Sequence, residues 1–201
     1  MSRKEVLDAI ASEIVVCTKC MLSKGRKNAV PGEGSPGSQI MFIGEGPGRT
    51  EDVEGQPFVG QAGKILDTLL SDACLTRENV FICNVVRCKP PGNRMPLPDE
   101  IQACTPYLDR QMKIIQPKVI VTLGNCSTGF IFSKAKRSFS SITQVHGKFH
   151  KKTILGMQVN LFPSFHPAAA LYSAKYKEQL MKDFQALKSE VLKRQLASPS
   201  C

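Results

Sequence analysis

Three stretches of this sequence carry residue types that could bind and activate a small polar ligand. The first is a glycine-rich turn at 44–48 (GEGPG), which exposes backbone N–H groups and contains Glu45, with Glu51 shortly after it. The second ends in Asn84, whose amide can pair with a donor and an acceptor at once. The third ends in His166, whose imidazole can donate, accept or transfer a proton. Together these residue types suit recognition of a flat polar molecule.

Each of these stretches follows a short apolar segment with the composition of a β-strand. Four such segments occur in the chain, at 39–44, 79–84, 118–123 and 158–163. Helical apolar periodicity is found at 62–73, 101–115 and 176–191. This alternation predicts an α/β protein, a three-layer α/β/α sandwich around a central four-stranded, mainly parallel sheet. Ligands bind at the carboxyl edge of such a sheet, so the glycine turn, Asn84 and His166 should share one crevice.

The glycine turn lacks the features of two common phosphate-binding loops. A dinucleotide-binding loop needs a third glycine where Arg49 stands, and a P-loop needs Gly-Lys-Ser/Thr at the helix start. A small planar ligand is therefore the candidate, with an ordinary strand-to-helix turn as the alternative. Asn84 has an alternative interpretation as a buried loop-capping residue. His146 and His150 flank a Gly-Lys turn and are interpreted as surface or phosphate-near residues.

Cysteines form a second group of candidate functional residues. Cys17 and Cys20 make a C-x-x-C pair in a polar turn, and Cys88 and Cys104 could be carried towards it by a loop and a helix start. A thioredoxin-type redox pair would follow a strand, whereas a helix is expected before this turn. Core filling is the alternative for Cys104, which lies on the apolar stripe of its helix. Four cysteine ligands suit zinc and an iron–sulfur cluster equally well.

The remaining cysteines carry no such pattern. Cys74, Cys83 and Cys126 lie in apolar surroundings and are interpreted as buried thiols, and Cys201 belongs to the tail. Eight cysteines without a secretion signal argue against a disulfide scaffold. The sequence therefore favours metal ligands plus a few buried thiols.

Length and charge set the broad class of the protein. At 201 residues we expect a single domain over 1–194 and a polar tail over 195–201. No apolar run approaches the length that spans a bilayer and no signal-peptide pattern is visible, so we expect a cytoplasmic protein without membrane contact. Lys and Arg exceed Asp and Glu by 27 to 17, which favours a polyanionic partner such as nucleic acid. The basic segment 134–152 would by itself be only a solvated face.

Taken together, the motifs resemble those of a known family. The segments that carry the resemblance are CTKC at 17–20, GEGPGRTEDVEGQPFVGQAGKILD at 44–67, NVVRCKPPGNRMP at 84–96 and FHPAAAL at 165–171. They are similar to family 4 of the uracil-DNA glycosylases, the thermostable iron–sulfur-containing type, in order from about residue 6 to about residue 190. The resemblance implies the uracil-DNA glycosylase-like fold, and it implies a [4Fe-4S] cluster bound by Cys17, Cys20, Cys88 and Cys104.

The same resemblance implies a uracil pocket. Its implied lining begins with Gly44, Glu45 and Gly46, the last of which replaces the alanine usual in the family. Phe58 would stack on the base, Asn84 would read its edge, and His166 would face its O2. Glu45 or Glu51 would orient the attacking water, and the sequence does not decide between them.

The implied function is DNA repair. The enzyme would flip uracil out of double- or single-stranded DNA and hydrolyse its N-glycosidic bond. We expect it to act as a monomer, and nothing in the sequence supports a sliding-clamp contact. A non-catalytic iron–sulfur protein that binds nucleic acid or carries electrons is the alternative class. A related branch that bonds covalently to DNA uses a histidine in an inserted basic loop, and the corresponding stretch, 89–98, contains none.

Overall fold

The computed structural model describes residues 1–196, in which a six-stranded sheet is covered by helices on both faces. The strands are β1 (Glu33–Gly34), β2 (Ile40–Gly44), β3 (Phe81–Asn84), β4 (Val119–Leu123), β5 (His150–Ile154) and β6 (Met157–Ser164). Their order in the sheet is β1-β3-β2-β4-β6-β5. The inner four are parallel and are the four predicted strands, so the predicted α/β fold is confirmed.

Two antiparallel edge strands were not predicted. β1 is only two residues long and lies within a Pro- and Gly-rich stretch that has no strand composition. β5 has the sequence HKKTI, in which only Ile154 is fully buried, so its apolar signal is weak. Lysines on an edge strand discourage pairing with another chain, which is a structural reason for the charge in this part of the basic segment.

Eight α-helices are present among the described residues. They are α1 (Arg3–Val15), α2 (Leu22–Gly25), α3 (Arg49–Glu54), α4 (Gln61–Asp72), α5 (Pro98–Ile115), α6 (Asn125–Lys134), α7 (Ile142–Val145) and α8 (Ala174–Lys193). Short 3₁₀ turns occur at Pro91–Asn93 and Pro167–Leu171. The three helices predicted from apolar periodicity correspond to α4, α5 and α8.

The side chains of the parallel strands divide between two cores. Met41 and Ile43 pack with residues of α1, α5 and α6 on one face of the sheet. Phe42, between them, packs with residues of α4 and α8 on the other face. This alternation is the period-2 pattern of a strand buried on both sides. The carboxyl ends of the strands therefore lie between two layers of fixed helices.

The register of the strands places the candidate residues side by side. Gly44 pairs with Asn84 at the ends of β2 and β3, and Leu123 pairs with Ser164 at the ends of β4 and β6. His166 follows Ser164 at the same edge. The crevice expected at the carboxyl edge therefore forms where these strands end.

Several further expectations can be compared with the structure. Among residues 1–196, no helix is long and apolar enough to cross a membrane. Most of the expected tail, 197–201 with Cys201, lies outside the described residues, and the one-domain boundary stays a prediction.

Cys83 is a buried free thiol as expected, but Cys74 is disulfide-bonded, so the buried-thiol interpretation is wrong for Cys74.

The two histidines of the Gly-Lys turn are partly exposed and contact neighbouring side chains. The Nδ1 atom of His146 lies 2.8 Å from Oδ1 of Asp183, whose other oxygen accepts a hydrogen bond from Ser164. The ring of His150 contacts Phe132 edge-on at 5.7 Å. Both side chains remain partly exposed, so the interpretation as surface or phosphate-near residues stays a prediction.

Candidate functional site

A cavity of about 510 Å³ opens at the carboxyl edge of the parallel sheet. It lies among the ends of β2, β4 and β6, the start of α4 and the loop before α5. Of the predicted site residues, those lining it are Glu45, Glu51, Phe58 and His166. Gly44 and Asn84 adjoin the Phe58 ring, and Gly46 contacts the segment after β3. The structure therefore brings most of the predicted residues together at one cavity.

The phenyl ring of Phe58 forms one wall of this cavity. It stacks on the His166 imidazole, with ring centroids 5.6 Å apart and an interplanar angle of 29°. A Cβ atom at Gly44 would lie 2.6 Å from Cζ of Phe58 and 2.4 Å from Oδ1 of Asn84. Real Cβ atoms do not approach that closely, so only glycine at 44 allows the ring and the amide to meet.

Asn84 has a buried acceptor without a partner. Its side chain is 2% exposed, and Oδ1 has no hydrogen-bond partner within the described part of the chain. An unsatisfied buried polar atom costs roughly 1–3 kcal/mol. Because natural proteins seldom leave such atoms unpaired except at functional sites, Asn84 is suited to accept a hydrogen bond from a bound ligand.

His166 is held as a neutral imidazole in one tautomer. The backbone N–H of Ala168 donates to its Nδ1 atom at 3.2 Å, so the proton of the neutral ring is on Nε2. Burial lowers the pKa of His166 to about 4, and the nearby Glu51 carboxylate opposes this shift. The ring therefore offers a neutral N–H donor at ordinary pH.

The two candidate carboxylates have different surroundings. Oε1 of Glu51 accepts the backbone N–H groups of Val59 and Gly60 at 3.0 and 2.8 Å, so this carboxylate anchors the loop after Phe58. Glu45 lines the cavity, and burial raises its pKa, partly opposed by a hydrogen bond from the Cys126 thiol. Of the two, Glu45 has the carboxylate that is less occupied by the backbone.

Sequence reasoning missed the contribution of β4. Gly124, Asn125 and Cys126 follow this strand and line the cavity. Cys126 is half-buried rather than a core thiol, and burial together with Glu45 raises its pKa to about 12. The signal was available, since β4 ends at the same edge as the other parallel strands.

The loop before α5 closes another side of the cavity and was also missed. Arg94 lines the cavity and makes two hydrogen bonds to the buried Glu100 carboxylate, at 2.9 and 2.6 Å. Glu100 also accepts the backbone N–H of Leu97 at 2.7 Å. These contacts order the Pro-rich stretch.

A Cβ atom at Gly46 would lie 2.8 Å from Cγ2 of Val86, so this glycine affects packing against the loop rather than cavity size.

The four candidate metal ligands line one small second cavity. Cys17 and Cys20 come from the turn after α1, Cys88 from the segment after β3, and Cys104 from α5. Within residues 1–196 no group of three or more His, Cys, Asp or Glu side chains is arranged to hold a single metal ion.

The surroundings of the cysteines fit an anionic group. Nη1 of Arg26 lies 3.0 Å from Sγ of Cys88. Arg87 is 1% exposed, and its Nε and Nη1 atoms have no hydrogen-bond partner among the described residues. A buried guanidinium without a counter-charge is costly. Thiolates around an iron–sulfur cluster would supply the missing negative charge and the missing acceptors.

The chain is similar in sequence to known proteins over most of its length. A family model described as the Uracil DNA glycosylase superfamily matches residues 31–188. The chain is 52% identical over 183 residues to a type-4 uracil-DNA glycosylase of Saccharolobus solfataricus, covering 90% of this chain and 85% of that protein. Proteins of the same name from Archaeoglobus fulgidus and Thermotoga maritima are 44% and 40% identical, covering 91% and 96% of this chain and 92% and 98% of theirs.

Parallel strands whose carboxyl ends hold a neutral histidine, an unpaired amide and an aromatic wall define an α/β ligand-binding site. The matched region, residues 31–188, contains every one of these groups. The chain belongs to the uracil-DNA glycosylase superfamily and, within it, to the type-4 family.

The buried, neutral state of His166 can be tested by titration. We expect its ring signals in NMR spectra, identified by their loss in His166→Gln, to titrate near pH 4 rather than near 6.5. The unfolded chain binds a proton below about pH 6.5 that the native chain does not, so stability should fall as pH drops from about 6.5 to 4. The His166→Gln variant should lose that part of the pH dependence. A midpoint at 6 or above would contradict the burial argument.

Proposed function

We propose that this protein excises uracil from DNA, hydrolysing the N-glycosidic bond to release free uracil and leave an abasic site. The observation that carries the proposal is the buried, unpaired Oδ1 of Asn84 next to the Phe58 ring, which stacks on the neutral His166. An acceptor, a neutral donor and an aromatic face are what a pyrimidine base requires. Because such a base is inaccessible inside the duplex, the enzyme must extrude it into the cavity.

Asn84 would recognise the edge of the base. Its Oδ1 would accept the N3–H of uracil and its amide group would donate to O4. Cytosine presents an acceptor at N3 and a donor at C4, so the same amide orientation would oppose both groups. The strand pairing of Asn84 with Gly44 fixes the backbone from which the amide extends, which supports its role in discrimination.

His166 and Phe58 would share the work on the base itself. Negative charge grows on uracil as its bond to the sugar breaks, and Nε2–H of His166 would donate to O2. A neutral imidazole suits this task, since Nδ1 is held as an acceptor by Ala168. Phe58 would stack on the extruded base and recover part of the cost of unstacking it from the duplex.

Glu45 is our choice for orienting the attacking water. Its carboxylate lines the cavity, whereas Glu51 is bound to two backbone N–H groups. A raised pKa also favours acceptance of a proton from water. Glu51 would then hold the Phe58 loop. Its carboxylate also partly opposes the lowering of the His166 pKa by burial.

A [4Fe-4S] cluster would be held by Cys17, Cys20, Cys88 and Cys104. Such a cluster would supply cross-linking of the chain rather than electron transfer, because the hydrolysis moves no electron. The cysteine cavity joins the turn after α1, the segment after β3 and the body of α5. The four ligands would thereby fix the loop between Cys88 and α5, which closes the uracil cavity.

The DNA would approach along a basic, exposed surface. Tyr172 lines the cavity mouth, and Lys175 and Lys177 are exposed on the first turns of α8 beside it. The chain carries a formal net charge of +10, so phosphate contacts should weaken steeply with salt.

We propose that the protein acts as a monomer, since one chain supplies every residue of the cavity. We also propose a cytoplasmic location, which suits the six free thiols among residues 1–196.

Excision itself is the first test. A duplex oligonucleotide with one uracil, incubated with the protein and then treated with alkali, should break at the uracil. Asn84→Asp should slow single-turnover excision by roughly 10²-fold or more, because a carboxylate oxygen would face O4, and His166→Ala by a similar factor. Lys182→Ala, which removes an exposed pair with Glu178, is the matched control and should change nothing. Absence of breaks with the native protein would favour the non-catalytic iron–sulfur alternative.

The two carboxylates can be separated with isosteric variants. Glu45→Gln should lower the single-turnover rate by about 10²-fold or more, since an amide cannot accept a proton from water. Glu51→Gln keeps an oxygen that accepts the N–H groups of Val59 and Gly60, so its loss should be much smaller. Equal rates for the native protein and Glu45→Gln would contradict the assignment of Glu45.

Metal analysis tests the cysteine assignment. The purified protein should contain about four iron atoms per chain and no stoichiometric zinc. Cys104→Ala and Cys88→Ser should lose most of that iron, while Cys126→Ala, whose thiol lies in the other cavity, should retain it. Zinc in the native protein, or full iron in both ligand variants, would overturn the proposal.

A further inference from the structure

Phe58 has a backbone conformation that ordinary residues avoid. Its φ is +53°, in the left-handed region, where a non-glycine residue is disfavoured. Such a conformation persists only when surrounding contacts hold it. The Phe58 ring must nevertheless be fixed, because a base stacked on it would otherwise lose its alignment with His166. Contacts with the surrounding chain must therefore determine where Phe58 lies.

One side of the Phe58 segment is held from within the site. Glu51 accepts the N–H groups of the two residues that follow Phe58. The first turn of α4 presses on the Phe58 carbonyl, since a Cβ atom at Gly63 would lie 1.7 Å from that oxygen. These contacts fix the N–H groups after Phe58 and leave the carbonyl groups of Pro57 and Phe58 to another donor.

Arg77 is that donor. Its Nη1 donates to the Pro57 carbonyl at 3.0 Å, and its Nη2 donates to the Phe58 carbonyl. The guanidinium is itself fixed by Glu33 and Asp67, each at 2.6 Å. Arg77 does not line the uracil cavity, so it reaches the site only through Phe58.

Two elements, the unpredicted strand β1 and the predicted helix α4, supply the carboxylates that fix Arg77. β1, the short edge strand, brings Glu33 to Nη1 of Arg77, and α4 brings Asp67 to Nε. The planar fork of an arginine can bond two carbonyls and two carboxylates at once, which a lysine ammonium cannot do in the same geometry. The side chain is 24% exposed, so solvent screens part of its interaction with the two carboxylates.

We propose that Arg77 is a positioning residue that holds Phe58 as the stacking surface for the extruded base. The inference rests on the proposed uracil excision, which it deepens. Loss of Arg77 should allow the Phe58 loop to relax towards an ordinary backbone conformation. The ring would then leave its place against Gly44 and Asn84, and excision would slow while the fold remained intact.

A double-mutant cycle tests the route through Phe58. Arg77→Met should slow single-turnover excision from a uracil·guanine duplex by about 10- to 100-fold, as expected for a misplaced contact. Arg77→Lys should give an intermediate rate. In a Phe58→Ala background, Arg77→Met should change the rate by less than about twofold, because the side chain it positions is gone. Arg110→Met, which removes a two-bond pair with Glu13 between α1 and α5, is the control and should leave the rate unchanged.

A second readout does not depend on activity. The chain contains no tryptophan, so Phe58→Trp creates a single fluorescent reporter at this position. Time-resolved anisotropy should show a restrained indole when Arg77 is present. The amplitude of fast local motion should rise by about twofold or more with Arg77→Met and not with Arg110→Met.

The outcomes separate the two proposals. A native protein that cleaves no uracil would end the proposed function, while the anisotropy would still decide whether Arg77 fixes residue 58. Native excision with equal effects of Arg77→Met in both backgrounds would overturn the inference about Arg77 alone. Unchanged anisotropy in Arg77→Met would also overturn it.

Discussion

The close approach of a phenyl ring and an amide over Gly44 is the contact on which the site depends. It requires three conditions: no Cβ at 44, Asn84 on the neighbouring strand in register with Gly44, and Phe58 in a left-handed backbone conformation. The first two follow from the parallel sheet. The third is imposed by Glu51, which lines the cavity and accepts the N–H groups that follow, and by Arg77, which lies outside the cavity and bonds the carbonyls. Much of the chain around the cavity therefore acts to keep one ring in one place.

The electrostatics of the site favour a neutral ligand that becomes negative during reaction. His166 is uncharged through burial and directs its N–H outward because Ala168 occupies the other nitrogen. Asn84 leaves an acceptor unpaired, at a cost in folding free energy that a bound base would offset. The positively charged side chains lie on the outer surface, where phosphates would bind. The buried Arg87 near the cysteines is the exception, and it suits the negative charge of a thiolate-held cluster.

Those parts of the structure that depend on periodicity were predictable from the sequence. Four apolar segments gave the parallel strands, and helical spacing gave α4, α5 and α8, so Asn84 and His166 could be placed at one edge. The edge strands β1 and β5 were missed because one is too short and the other too polar to show a pattern. Contacts between side chains that are distant in the chain could not be predicted from the sequence either. Three such contacts depend on how helices and loops pack. They are the bonds of Arg77 to the Phe58 carbonyl, of Cys126 to Glu45, and of Glu51 to two backbone N–H groups.

A structure of the protein with free uracil would test the central claim most directly. We predict the base stacked on Phe58, with N3 within hydrogen-bond distance of Oδ1 of Asn84 and O2 within reach of Nε2 of His166. The unpaired acceptor of the uncomplexed protein would then have its partner. Uracil bound elsewhere, or bound in this cavity with Asn84 still unpaired, would contradict the account.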